Sequence, residues 1–351
     1  MSFSDAPISF PGLFGDWQFT VPSKALNIGN GIYWYGIIIA AGMLLGLYFC
    51  MKQAPKYGLS EDNIIDTVLW VIPFSIIGAR IYYVLFYLDL FRNSDGSINW
   101  SSTYRIWDGG LAIYGGVIAG FLTAYLFSRR RKISFWALAD CCVQGLFIGQ
   151  AIGRWGNFFN RESFGEYTDL PWAMQIPVSA VRSGEVSGAM RDNLLTINGI
   201  SYIQVQPIFL YESLWCLLLF LLLMAMRRKK KYEGELFMIY LAGYGLGRFF
   251  FEWFRTDKLY IPGTKVGISL VLSAILFAVF MPVVIVRRVM AQKRDIIRRQ
   301  RKKRFLDESV KEKQMFPETS EMKPEPEIRP EMDEQVKPDV GTSPTNSKEE
   351  Q

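Results

Sequence analysis

"ISFWALADCCVQGLFIGQAIGRWGNFFNRESFG", residues 133–165, stays apolar for about twenty positions, the length a helix needs to cross a bilayer, and then turns polar. Within residues 154–162 it carries Arg154, Asn157, Asn160, Arg161 and Glu162. Apolar runs of similar length recur at roughly 31–51, 64–88, 111–128, 207–226, 235–254 and 266–286. The chain has 351 residues, 50% of them hydrophobic and 15% aromatic. These apolar residues come in blocks parted by short charged clusters, which is the pattern of repeated membrane spans and not of one buried soluble core. The expected fold is therefore an all-α polytopic membrane protein with seven transmembrane helices. About thirty mixed residues without a basic start precede the first run, so it is not expected to be a cleaved signal peptide.

Loop charges set the expected orientation. Lys52 and Lys56 follow the first run, Arg129-Arg130-Arg131-Lys132 the third, Arg227 to Lys231 the fifth, and Arg287-Arg288 the seventh. Every second loop is basic, which places those loops in the cytoplasm, the N-terminus outside and the C-terminus inside. The net charge of +6 is then explained by topology, and no nucleic-acid partner is implied. The expected organisation is a membrane domain over residues 1–286, carrying a small extracytoplasmic cap at about 159–206. A basic juxtamembrane segment at 287–304 is expected to lie against anionic lipid, and an acidic, Pro/Glu-rich cytoplasmic tail at 305–351 to be disordered. Within the cap, a strand pair around 193–205 is expected to turn at Asn198-Gly199.

The four cysteines, Cys50, Cys141, Cys142 and Cys216, lie in or at the edge of apolar runs and read as small buried hydrophobes, not a disulfide set. Histidine is absent, so no Ser-His-Asp or Cys-His constellation exists in the chain, and no metal centre or cofactor is implied.

Charges inside apolar runs cost at least about 2.5–3.5 kcal/mol each on insertion scales, so they face the bundle interior and mark candidate sites. Arg80, Asp140, Arg154, Glu212, Arg248 and Glu252 qualify, with Asp66 and Asp108 nearer the ends. In "GYGLGRFFFEWFR", Tyr244, Arg248 and Glu252 repeat at i, i+4, i+8 and share a helix face that Arg255 extends. A structural ion pair and a polar stripe facing a lipid headgroup are both open on these residues alone; Gly243, Gly245 and Gly247 allow close helix approach or headgroup access. "QPIFLYESLW" places Glu212 within the fifth run. "WDGGLAIYGG", residues 107–116, has two glycine pairs that fit either helix packing or a re-entrant start whose amides reach a phosphate. Tyr114 there is either a hydroxyl donor or an interfacial aromatic. The opening stretch is the sharpest signal: Arg154, Asn157 and Glu162, spaced among Gly153, Gly156 and Gly165 after the fourth run, form an anion-binding and proton-handling edge.

Taken together, these motifs resemble the bacterial prolipoprotein diacylglyceryl transferases. "GRWGNFFNRESFG" fits that family's signature, and the resemblance extends to "WYG" at 34–36, "GAR" at 78–80, the glycine pairs at 109–116, "YE" at 211–212 and "YGLGRFFFEWFR" at 244–255. It covers the chain to about residue 286. The resemblance implies a multi-pass enzyme of the bacterial cytoplasmic membrane with its active site toward the extracytoplasmic side. The implied reaction moves an sn-1,2-diacylglyceryl group from phosphatidylglycerol to the lipobox cysteine thiol of a prolipoprotein signal peptide. A thioether forms and sn-glycerol 1-phosphate leaves.

By the same resemblance, Arg154 binds the phosphatidylglycerol headgroup and Arg248 lies near the leaving phosphate. Tyr35, Asn157 and Asn160 hold headgroup oxygens or neighbouring side chains, and Glu162, Glu212 and Glu252 orient the arginines or relay the proton. Tyr244, Gly115 and Gly165 belong to the substrate-binding set, and Tyr114 and Asn157 to the catalytic one. One departure stands out: Tyr114 occupies a position where many family members carry a histidine proposed as the base. Free tyrosine titrates at about 10 and free cysteine at about 8.5, so a neutral tyrosine is a poor base for a thiol. An arginine-lowered tyrosine, a glutamate acceptor and a thiol acidified by its surroundings all remain open. A transporter with an Arg/Glu pathway is disfavoured by the lack of internal repeats, and a metal-dependent transferase by the lack of clustered ligands.

Overall fold

The computed structural model describes residues 7–15, 17–27, 31–93, 95–256, 258, 260–261, 263–264 and 266–315. Seven long helices are found among the described residues, each where an apolar run was expected: α1 Trp34–Gln53, α2 Glu61–Phe86, α3 Ile113–Arg131, α4 Phe135–Asn160, α5 Ile208–Met226, α6 Glu235–Glu252 and α7 Ile268–Met315. Five of these segments, all but α3 and α6, are long and apolar enough to cross a membrane. The shorter α3 runs into the arginines at 129–131, and α6 carries Arg248 and Glu252 among its apolar residues. Large apolar side chains face outward along the helices: Leu44, Leu69, Leu85 and Val117 are each at least 64% exposed. In water such a surface would be a liability, whereas in hydrocarbon it is the expected one. The chain is a polytopic membrane protein.

The chain divides into two compact units, Met1–Asp295 and Ile296–Gln351. In the first, α4 is the central helix, with half of its apolar window buried in protein against 17% or less for α1, α2 and α7. It packs on α1, α5 and α6, while α2 pairs with α3. Small residues let these backbones meet. A Cβ on Gly46 of α1 would lie 2.6 Å from the carbonyl oxygen of Gly145 on α4, and one on Gly115 of α3 would lie 2.4 Å from that of Gly78 on α2. Close helix contact of this kind drives association where lipid supplies no hydrophobic force.

In the second unit the described residues, 296–315, are helical. The basic segment is thus helical, and residues 305–315, expected in the disordered tail, are helical too. The rest of that tail lies outside the described residues.

The cap is more than the expected strand pair. That pair is present, as β6 Leu195–Ile197 and β7 Ile200–Val205, turning through Asn198 (φ 52°) and Gly199 (φ 80°). Both turn residues are left-handed, as the tightest hairpin turn requires. β7 also pairs with β5 Met174–Pro177, which bridges to β1 Pro7–Ser9 and so to β2 Gln18–Thr20. The five-stranded sheet, ordered β2-β1-β5-β7-β6, draws in the N-terminal residues, for which no strands were expected. Ile8, Phe164, Ile176, Met190 and Ile203 form its apolar core. A separate two-stranded ribbon, β3 Lys24–Leu26 with β4 Ile32–Tyr33, leads into α1.

Two of the intramembrane charges hold the scaffold. Arg80, 7% exposed, donates to the carbonyl oxygens of Ser102, Thr103, Gly109 and Gly110 at 2.6–2.9 Å, tying down the glycine-rich entry to α3. The carbonyls of that entry turn toward a guanidinium. Asp140, fully buried, accepts from the amides of Gly234 and Phe237 at 2.9 Å each and from Lys230 at 3.3 Å, so a carboxylate from α4 caps the N-terminus of α6. Asp66 pairs with Arg131. Of the cysteines, Cys50, Cys141 and Cys216 are buried, and all four are free thiols.

Candidate active site

The polar stretch was expected to follow the fourth span, yet α4 continues through it to Asn160, so Arg154 and Asn157 occupy its last two turns. The chain then reverses through Arg161 (φ 54°) and Ser163 (φ 56°), both in the left-handed region. Arginine is unusual at such a helix end, where glycine or asparagine is favoured. Here Arg161 is 4% exposed and its guanidinium donates to the carbonyl oxygen of Val21, which anchors the turn to the cap. The reversal brings Glu162 back over the helix end. Its amide donates to the Asn157 carbonyl at 3.1 Å, and its carboxylate accepts from the side-chain amides of Asn157 at 3.0 Å and Asn160 at 3.4 Å. A spacing one residue past a helical turn thus places these groups together because the helix stops between them.

Glu212 on α5 is the second centre, and it is far from a lone carboxylate. Its side chain, 5% exposed, meets Arg154 at 2.9 Å, Arg248 at 3.2 Å and Arg255 at 3.4 Å. Arg248 reaches on to Glu252 at 2.8 Å, the i, i+4 pair read from the sequence. Arg255 does not extend the helical stripe, because α6 stops at Glu252. It lies in a bridge to Gly165, and its guanidinium donates to Ser163 Oγ at 2.9 Å. Ser163 adjoins Glu162, so the two centres are joined. The sequence places Arg255 on the stripe and Gly156 in the motif without giving either a role in the site, and it does not mark Ser163. Only the charge of Arg255 was a signal, since a serine and a glycine in a motif carry no chemistry until their neighbours are known.

Three glycines of the motifs serve close approach. A Cβ on Gly156 would lie 2.8 Å from the Tyr35 ring, so this glycine seats Tyr35 of α1 beside the end of α4. Gly165 sits where backbones cross: its amide donates to the Gln206 carbonyl at 3.0 Å, and a Cβ would meet Gln206 and Ile208 at 2.9–3.0 Å. Gly115 faces Gly78 and Tyr82 in the α2–α3 contact. Gly243 and Gly247 admit Leu219 and Trp215 of α5, and Gly245 admits Ser273 and Leu276 of α7, so all three serve helix approach. Tyr244 stacks on Tyr240 at 6.1 Å between centroids, and the Tyr240 hydroxyl accepts from Gln150 at 2.8 Å. Tyr114 is half-buried near the start of α3, and its hydroxyl makes no hydrogen bond among the described residues.

Beside these groups opens a cavity of about 590 Å³ lined by Ile32, Tyr33, Tyr35, Gly36, Ile37, Ala40 and Asn160. Apolar walls with a phenol and an amide at one end suit an amphiphile. Next to the cavity the guanidiniums of Arg154, Arg248 and Arg255 gather around Glu212, and Arg248 also meets Glu252. Arg154 and Arg248 keep 21% and 18% of their side chains exposed, against 8% for Arg255, so they are the accessible pair.

Residues 23–286 match the family model described as prolipoprotein diacylglyceryl transferase. A phosphatidylglycerol--prolipoprotein diacylglyceryl transferase of Oceanobacillus iheyensis is 40% identical over 265 residues, covering 73% of this chain and 86% of the relative. Those of Listeria welshimeri and Bacillus velezensis are 42% and 40% identical, each with 89% of its length covered, against 76% and 74% of this chain. With the family model matching residues 23–286 and relatives 40–42% identical over most of their length, the chain belongs to the prolipoprotein diacylglyceryl transferase family.

Proposed function

We infer that this enzyme transfers a diacylglyceryl group from phosphatidylglycerol to prolipoproteins, as its relatives' name states, and that the acceptor is the lipobox cysteine. The observation that carries the site assignment is the set of three guanidiniums converging on one buried carboxylate beside an amphiphile-sized cavity. In the reaction the thiol sulfur forms a bond to the glyceryl carbon, the carbon–oxygen bond to phosphate breaks, and the electron pair leaves on the phosphate oxygen. Negative charge therefore grows on phosphate, where preorganised donors in a low-dielectric site count most. Arg154 and Arg248 supply them, with Glu212 and Glu252 fixing their planes. Tyr35 and Asn160 hold the headgroup in the cavity, and Tyr244, one turn before Arg248 on α6, is assigned to the same substrate-binding set.

The thiol proton needs an acceptor. Glu212 is engaged by three arginines and Glu252 by Arg248. Among the described residues the Glu162 carboxylate accepts hydrogen bonds from two side-chain amides, has Arg182 at 3.8 Å, and keeps 23% of its side chain exposed. We assign it the proton, with Asn157 orienting it, and leave to Tyr114 a place at the site's edge. The arrangement in the bilayer is seven spans, N-terminus outside, with the cap and the site on the extracytoplasmic side of the cytoplasmic membrane and residues 1–286 as the catalytic domain.

Incubating the purified protein with phosphatidylglycerol and a lipobox peptide should raise the peptide's mass by one diacylglyceryl group. Release of a fatty acid or of glycerol without any change in the peptide would refute the reaction. Tyr114→Phe should keep kcat within about threefold, since acid–base groups contribute roughly 10²–10⁴-fold. A loss of a hundredfold would move the proton to the phenol.

A further inference from the structure

At the basic end of the bundle lies a second cavity, about 320 Å³, lined by Lys231, Tyr232, Arg287, Met290, Ala291, Arg294 and Asp295. Arg287, Met290, Ala291 and Arg294 follow one another at i, i+3, i+4, i+7, so one face of α7 presents two arginines across an apolar floor. The loop between α5 and α6 supplies the opposite wall. Arg287 lies over the Tyr232 ring at 4.3 Å, and Lys231 meets Asp295 at 3.5 Å. Burial pushes the Tyr232 phenol above its ordinary value, which keeps it a neutral donor.

Neighbouring cations are already used: Lys230 is bound to the buried Asp140 and Arg288 to the buried Glu235. Arg287 and Arg294 meet no carboxylate among the described residues, so three cations face one acid in the cavity. Depth is the second clue. No charge interrupts α7 from Ile268 to Val286, about 28 Å of helix and close to the roughly 30 Å of a hydrocarbon core. Arg287 therefore stands at the hydrocarbon edge, the level of lipid phosphates.

We propose that this cavity is a binding site for the headgroup of an anionic phospholipid, separate from the transferase site. Phosphate oxygens meet the Arg287 and Arg294 forks and the Lys231 ammonium, and the glyceryl carbons rest on Met290 and Ala291. Guanidinium forks suit phosphate, and basic pockets at this depth hold anionic headgroups. A free phosphate would satisfy the cations but would leave the apolar floor and the membrane depth unused.

Native mass spectrometry of the full-length protein tests this. The Arg154→Ala background weakens the headgroup site at the other centre, and phosphatidylserine is the probe. One phosphatidylserine should stay bound per chain while phosphatidylcholine does not. Arg287→Ala with Arg294→Ala should cut retention by at least about tenfold. Equal retention in that variant overturns the proposal, and so does displacement of the lipid by millimolar inorganic phosphate. Asp295→Asn gives a reading should the double variant fail to fold: removing the acid should tighten retention severalfold, and no change again overturns the site.

Discussion

Arg154→Ala should lower kcat/KM for transfer to a lipobox peptide by about 10²–10³-fold, the usual cost of removing one preorganised donor from a developing anion. The fold should survive, because Glu212 keeps Arg248 and Arg255 at 3.2 and 3.4 Å and is not left unpaired. Arg154 sits in the last two turns of α4, where 21% of its side chain remains accessible, so no large void opens. Arg154→Lys separates charge from shape. An ammonium restores part of the field but cannot present two parallel donors, so it should recover only a fraction of the rate. Steady-state kinetics with phosphatidylglycerol as the varied substrate reads the split: a loss confined to KM would make Arg154 a binding group only. Full activity in the alanine variant would remove it from the site.

The second large effect is on stability. Glu212→Ala should destabilise the protein by about 3–5 kcal/mol, as breaking a buried ion pair typically does. The carboxylate is the common partner of three guanidiniums, and without it they repel one another. The melting midpoint in detergent, followed by circular dichroism, should fall by roughly 10 °C. Glu212→Gln should fall less, since the amide oxygen still accepts one hydrogen bond. Added phosphate should restore more stability to the alanine variant than to the parent, because an anion can take the vacated place. A midpoint unchanged in Glu212→Ala would show that the arginines are solvated rather than held.

Much of the helix layout is a matter of composition along the chain. An apolar block of about twenty residues has few places to go except a bilayer, and backbone hydrogen bonding makes it helical there. That is why a long helix stands at each of the seven apolar runs among the described residues, with ends within a few residues for most, and five of them are long and apolar enough to cross a membrane. The misses have equally local causes. α4 runs on to Asn160 because "GRWGNFFN" holds no proline and its glycines are tolerated in a helix packed inside the protein, where Gly156 meets Tyr35. The N-terminal strands were not legible because three-residue segments acquire their structure from partners at residue 175 and beyond.

The site divides the same way. Arg248 and Glu252 could be paired from the sequence, since helical period alone puts i and i+4 on one face. The i+5 pair Asn157 and Glu162 could not, because it depends on two left-handed residues after the helix end. Nor could the sequence separate Arg80 and Asp140, which are bound up in backbone groups, from Arg154 and Arg248, which converge on Glu212. All four are charges in apolar runs, and their desolvation cost is the same whichever role they play. By itself, then, the sequence determined that this is a membrane protein, where its helices lie and which residues are too polar for lipid. Tertiary structure alone decided which of those residues meet across elements, because partners come from α4, α5, α6 and the segment after α6, and only packing brings such distant segments within the reach of a hydrogen bond.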